Sequence, residues 1–190
     1  MNRVMLKKFL LAILIFSTLA IHAQPTHTPD TLVVLGPSLE GLVYPYPVKY
    51  ITLNEQQQVL KMAYMDVQPA RPNGHAILLL HGKNFCGDYW GATASLLAAN
   101  GYRVIIPDQI GFGKSSKPDH LQYSFQLLAR NTKTLLESAG VDNIIVLGHS
   151  MGGMIATRFT LMFPDKVERV VPEIRPDAQH SGRMDPGSRI

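Results

Sequence analysis

The spacing of apolar and polar positions changes character along the chain, and the changes mark out strands and helices. Residues 48–53 and 58–67 are apolar, partly alternating runs separated by Asn54-Glu55-Gln56-Gln57, which predicts a hairpin at a sheet edge. Residues 76–80 are continuously aliphatic, the pattern of a strand buried on both faces. Residues 89–100 predict a helix closed by Asn100-Gly101, and residues 103–106 a strand ended by Pro107-Asp108. The clearest amphipathic helix is 125–139: Ser124 stands at its cap, Phe125, Leu128, Thr132, Leu135 and Ala139 recur on one face, and Gly140 stops it. Residues 143–147 predict a further strand, 151–163 a helix halted by Pro164, and 167–171 a short last strand.

An antiparallel pair followed by alternating strands and helices predicts an α/β fold, mostly parallel, with an antiparallel N-terminal hairpin and right-handed crossovers. Sheets of this kind carry their chemistry at the carboxyl ends of the strands. His81, Asp108 and Ser150 all fall there.

The most informative stretch is Gly148-His149-Ser150-Met151-Gly152-Gly153, which passes from strand to helix without a linker. A side chain lifted off the end of a buried strand needs a strained backbone, and substituents at the flanking positions would collide across the turn. Gly148 and Gly152 leave that space, and the hydroxyl of Ser150 is exposed. The amide of Met151 opens the helix, where developing negative charge is favoured. An ordinary glycine-rich turn is the plainer alternative.

Composition narrows the remaining choices. With 190 residues, 46% hydrophobic and 17% charged, the chain suits one domain with a real core. Residues 1–23 have Arg3, Lys7 and Lys8 before a short apolar run and a small residue, the pattern of a signal peptide. An uncleaved N-terminal membrane anchor is the alternative, and either way the domain is expected to be exported, periplasmic or secreted. Without those three residues the 18 basic side chains become 15 against 14 acidic ones, so nothing supports nucleic-acid binding. Cys86 has no partner for a disulfide, and the seven histidines form no ligand motif, so neither metal nor cofactor is expected. Residues 24–47 are proline-rich and predict an extended lead-in over the domain, to which no chemistry is assigned.

Three segments together resemble the α/β-hydrolase superfamily, in its serine hydrolase branch: Leu80-His81-Gly82-Lys83-Asn84, the run from Pro107-Asp108 to Gly113-Lys114-Ser115, and Gly148-His149-Ser150-Met151-Gly152-Gly153. The resemblance covers roughly residues 48–171 and implies a three-layer hydrolase-type sheet. It also implies Ser150 as nucleophile, and the amides of Met151 and Lys83 as oxyanion donors. His81 and Gly82 would shape the oxyanion loop, His149 would be held in the turn, and Asp108 would be structural. Gly113-Lys114-Ser115 hints at a phosphate loop, but that pattern needs a glycine where Asp108 stands. Related epoxide hydrolases and haloalkane dehalogenases carry aspartate at the nucleophile position. Serine there implies an acyl-enzyme route to small ester, amide or activated carbonyl substrates.

From Pro172 onward the sequence has the composition of a disordered tail, and the family's acid and histidine are expected on loops after later strands. His180 is the only histidine after Ser150, with Asp177 ahead of it, and no strand precedes either to position it. The expectation is a truncated or frame-shifted hydrolase with turnover near background. A non-catalytic ligand-binding or scaffolding module is the competing reading.

Overall fold

The computed structural model describes residues 35–173. The expected signal peptide, the start of the lead-in through residue 34, and residues 174–190 with Asp177 and His180 lie outside the described residues.

Six strands form one sheet in the order β1-β2-β4-β3-β5-β6. β1 (Val48–Glu55) and β2 (Gln58–Val67) make the antiparallel hairpin, with β1 outermost. β2 runs antiparallel to β4 (Arg103–Pro107), and β4, β3 (Ala76–Leu80), β5 (Ile144–His149) and β6 (Val167–Glu173) are mutually parallel. Among them are α1 (Gly91–Ala99), α2 (Phe125–Ser138) and α3 (Met151–Met162).

Burial follows the two-sided pattern read from the sequence. All five residues of β3 are buried, Leu78 and Leu80 in one cluster with Leu128, Leu135 and Phe159, and Ile77 and Leu79 in the other with Val104 and Ala94. Period-two alternation thus sends neighbouring side chains to opposite layers. Tyr44 and Tyr46 of the lead-in pack against the α1 side. Helix α2 is capped as expected: the Ser124 hydroxyl accepts a hydrogen bond from the Leu127 amide at 3.1 Å. Its buried face is wider than the predicted stripe, because Leu127, Ala129, Asn131 and Leu136 are enclosed as well.

Several boundaries differ from expectation. The hairpin turn is two residues, not four: Asn54 and Glu55 pair with Val59 and Gln58, leaving Gln56 and Gln57 at φ 47° and 64°. Positive φ at both positions matches the right-handed twist of the strands it joins. The predicted helix at 89–100 begins instead as a 3-10 turn, Gly87–Trp90, before α1. Most important for the site, β6 does not end at Val171. Pro172 and Glu173 extend it and pair with Gly148 and His149, so they belong to the sheet and not to a disordered tail. Proline is tolerated because β6 is an edge strand of the described sheet, where a missing N–H costs no ladder bond.

Candidate active site

The carboxyl ends of β3, β4 and β5 bring the three motif segments together. At the end of β5, Ser150 has φ 54° and ψ −118°, a conformation that non-glycine residues rarely adopt. Holding a serine there costs on the order of 1–3 kcal/mol, which the surrounding packing must offset. The two glycines make it possible. A Cβ on Gly148 would overlap the Gly152 carbonyl and lie 2.6 Å from the Gly153 nitrogen, and one on Gly152 would meet the carbonyls of Leu80 and His81. The end of β6 completes the elbow, because the Ser150 amide donates to the Glu173 carbonyl at 2.5 Å.

His81 is fully buried at the end of β3. Its Nε2 accepts a hydrogen bond from the Gln109 amide at 3.0 Å, which places the ring proton on Nδ1, 2.8 Å from the Gly82 carbonyl. Both ring nitrogens are therefore engaged. Burial pulls the imidazole pKa below its ordinary value, against the raising effects of the Gly82 carbonyl, Asp108 and Asp88, so the ring is neutral. His81 ties the loop after β3 to the loop after β4.

Asp108, also buried, is the second tie. One carboxylate oxygen accepts from the Gly87 amide at 2.6 Å, and the other from the Lys114 amide at 2.7 Å and the Tyr44 hydroxyl at 2.6 Å. Three segments far apart in sequence thus converge on one carboxylate. Burial first, then the hydrogen bond to Asp108, drives the Tyr44 phenol far above its ordinary pKa, so it stays a donor. The lead-in had been given no chemistry, and Tyr44 carried no sequence signal that set it apart from Tyr46 or Tyr50. Nearby, the buried Cys86 thiol donates to the Asp88 carboxylate at 3.0 Å.

Above the elbow, His149 is half-buried, with Nδ1 3.3 Å from the Tyr89 hydroxyl. That hydroxyl also accepts from the Gly82 amide at 3.3 Å, and burial pushes its pKa up to about 12. Phe85 and Tyr89 stack edge-on to the His149 ring at 6.1 and 6.0 Å. A Cβ on Gly82 would lie 3.1 Å from His149 Nδ1 and 3.4 Å from the Ser150 Cβ, so the oxyanion loop passes directly over the serine. Sequence reasoning missed Tyr89, which it placed at the start of a helix.

Lys83 and Met151 line one cavity of about 560 Å³, walled by Phe112, Phe125 and Leu128. Among the described residues, neither the Lys83 nor the Met151 amide donates a hydrogen bond. Both amides are thus free, on residues that line a cavity, and Met151 directly follows the half-buried Ser150. A second cavity, about 420 Å³, lies at the amino ends of the strands around His75, Arg103 and Glu168, away from these groups.

Comparison with known proteins agrees with this geometry. A probable hydrolytic enzyme from Pseudomonas aeruginosa is 58% identical and superposes with a TM-score of 0.71, over 72% of this chain and 44% of that one. Fluoroacetate dehalogenase from Burkholderia is 39% identical over 50% of this chain and 32% of its own length. The 2-hydroxy-6-oxo-6-phenylhexa-2,4-dienoate hydrolase of Burkholderia cepacia is 31% identical over 65% of this chain and 43% of its own. The chain spans less than half the length of each of these relatives. The family model for the alpha/beta hydrolase fold matches residues 75–172, which run from just before β3 to the penultimate residue of β6 and hold the elbow and both loops beside it. With strand order, elbow and sequence in agreement, the chain belongs to the alpha/beta hydrolase fold family.

Proposed function

We propose that Ser150 is the nucleophile of an exported serine hydrolase that cleaves small ester, amide or activated carbonyl substrates through an acyl-enzyme. The carrying observation is the Ser150 backbone, φ 54° and ψ −118°, held between Gly148 and Gly152 and followed directly by Met151, which lines the cavity together with Lys83. In the reaction, the serine oxygen attacks the carbonyl carbon and the carbonyl oxygen becomes negative between the two amides. Collapse then expels the alcohol or amine, which takes up the proton the serine lost, and water cleaves the acyl-serine ester to give the acid and restore the hydroxyl. Each amide of such a pair is worth about a hundredfold or more in rate. Serine, where dehalogenases and epoxide hydrolases of this superfamily place aspartate, separates this chain from those activities despite its similarity to a dehalogenase.

A second reading, a ligand-binding module on the same fold, is favoured by one observation. Among the described residues, His81 is engaged at both ring nitrogens and His149 faces Tyr89 through Nδ1, and no hydrogen bond joins either imidazole to the Ser150 hydroxyl.

Fluorophosphonate labelling of the purified chain, mapped by mass spectrometry, separates the two readings. Selective modification of Ser150 that disappears in Ser150→Ala supports the nucleophile. A folded chain that binds ligand saturably and leaves Ser150 unmodified supports the binding module.

A further inference from the structure

Lys83 has a side chain as well as an amide, and the side chain is unaccounted for. It is exposed, and it takes part in none of the ion pairs found among the described residues, which join Lys49 and Arg103 to Asp66, His75 to Glu168, and Lys133 to Glu137. Other lysines near the site are satisfied: Lys114 donates to the Leu39 carbonyl, and Lys117 to those of Gly113 and Ser115. Among the described residues, Lys83 is also the only charged residue lining the cavity, with no Asp or Glu beside it. The remaining walls are largely apolar, with Phe112, Phe125, Leu128 and Met151 among them. A cavity of about 560 Å³ falls in the range that encloses a small organic ligand.

A largely apolar, open cavity bordered by one cation, unpaired among the described residues, discriminates by charge. A neutral apolar ligand gains burial alone, an anionic one gains burial and a charge-assisted hydrogen bond, and a cationic one is repelled. We propose that the cavity selects substrates that join an apolar acyl or aryl body to a carboxylate, and that the Lys83 ammonium is the group that recognises the carboxylate. The proposal rests on the Ser150 reading only for which bond is cut. Recognition of the anion does not require that bond to break.

Phenylbutyrate and phenylbutanamide are matched probes, alike in body and different in charge. Their affinities for the full chain are measured by NMR chemical-shift titration, at low and at high salt. Phenylbutyrate is expected to bind about tenfold more tightly at low salt, the scale of one hydrogen bond to a charged group, with the advantage shrinking as salt rises. Lys83→Met, which keeps the backbone amide and the length of the stem, brings the two affinities together. Lys83→Arg keeps the preference and Lys83→Glu reverses it. Equal affinities in the wild-type chain, a preference that survives Lys83→Met, or failure of both probes to bind would overturn the proposal. Because no turnover is read, absent labelling of Ser150 alongside an intact charge preference refutes the nucleophile alone. Labelling of Ser150 with no charge preference refutes the selection alone.

Discussion

Replacing Tyr44 by phenylalanine removes one oxygen and leaves the ring in its place against the α1-side core. The change therefore removes the 2.6 Å hydrogen bond to Asp108, together with the hydroxyl's weaker interaction with Cys86. A hydrogen bond to an ionised acceptor is worth about 1.5–3 kcal/mol. Tyr44 is only half-buried and the carboxylate keeps the Gly87 and Lys114 amides, so the loss belongs in the lower half of that range. For a chain of this size that corresponds to a fall in Tm of about 3–8 °C. Urea denaturation at pH 7 measures it, with an unchanged m-value as the sign that compactness is preserved. A second readout follows from the raised phenol pKa. The folded state holds the Tyr44 proton more tightly than the unfolded state, whose ordinary value is 10.0. This contribution is complete below pH 10 and is lost as pH rises, so stability falls more steeply with alkali in the wild type than in Tyr44→Phe. A cost below about 0.5 kcal/mol, or parallel alkaline slopes, would refute the view that Tyr44 anchors the lead-in through Asp108.

Gly148→Ala drives a methyl group into the backbone of Gly152 and Gly153, neither of which can rotate away, and is expected to cost about 3 kcal/mol or more and to suppress labelling of Ser150. Wild-type urea stability in that variant would contradict the tight elbow. At acid pH, Asp66 is the informative residue. Burial raises its pKa, but hydrogen bonds from Arg103, at 2.9 and 3.1 Å, and from Lys49, at 2.9 Å, outweigh it and hold the carboxyl below its ordinary 3.8. Its contribution is present above pH 3.8 and disappears as pH falls through the folded value, so Asp66→Asn is less stable than wild type at neutral pH and the two converge in acid. A stability gap that stays constant with pH would rule this out.

Elements defined by local pattern were legible in the sequence, and those defined by distant partners were not. The aliphatic run of β3, the capped stripe of α2 and the glycine-flanked elbow each carry their reason within a few residues, and each stands where it was expected. The extent of β6 was misjudged because Pro172 reads as a breaker. Its lack of an N–H matters only if a neighbour requires that donor. Gln56 and Gln57 carry none of the Asn-Gly chemistry that marks a two-residue turn. Gln56 instead exchanges hydrogen bonds with the backbone of Gln122, 66 residues away, at 2.9 and 3.0 Å. Tyr44 and Asp108, 64 residues apart, illustrate the same limit: nothing near Tyr44 announces a buried carboxylate waiting for its hydroxyl. Within the site, residue types and order were readable, whereas the occupation of both His81 nitrogens required coordinates.

The buried thiol of Cys86 turns this arrangement into a clock. Burial and the Asp88 acceptor push its pKa up to about 11, so at pH 7 only about one thiol in ten thousand is the reactive thiolate. A maleimide or disulfide reagent therefore finds almost nothing to react with while the loop is closed. Cys86 is the only cysteine in the chain, three residues from Lys83 and next to the Gly87 amide that Asp108 holds. Each modification event then records one opening of the loop after β3. The native sequence thus carries its own probe of how often that loop opens, with no label to engineer.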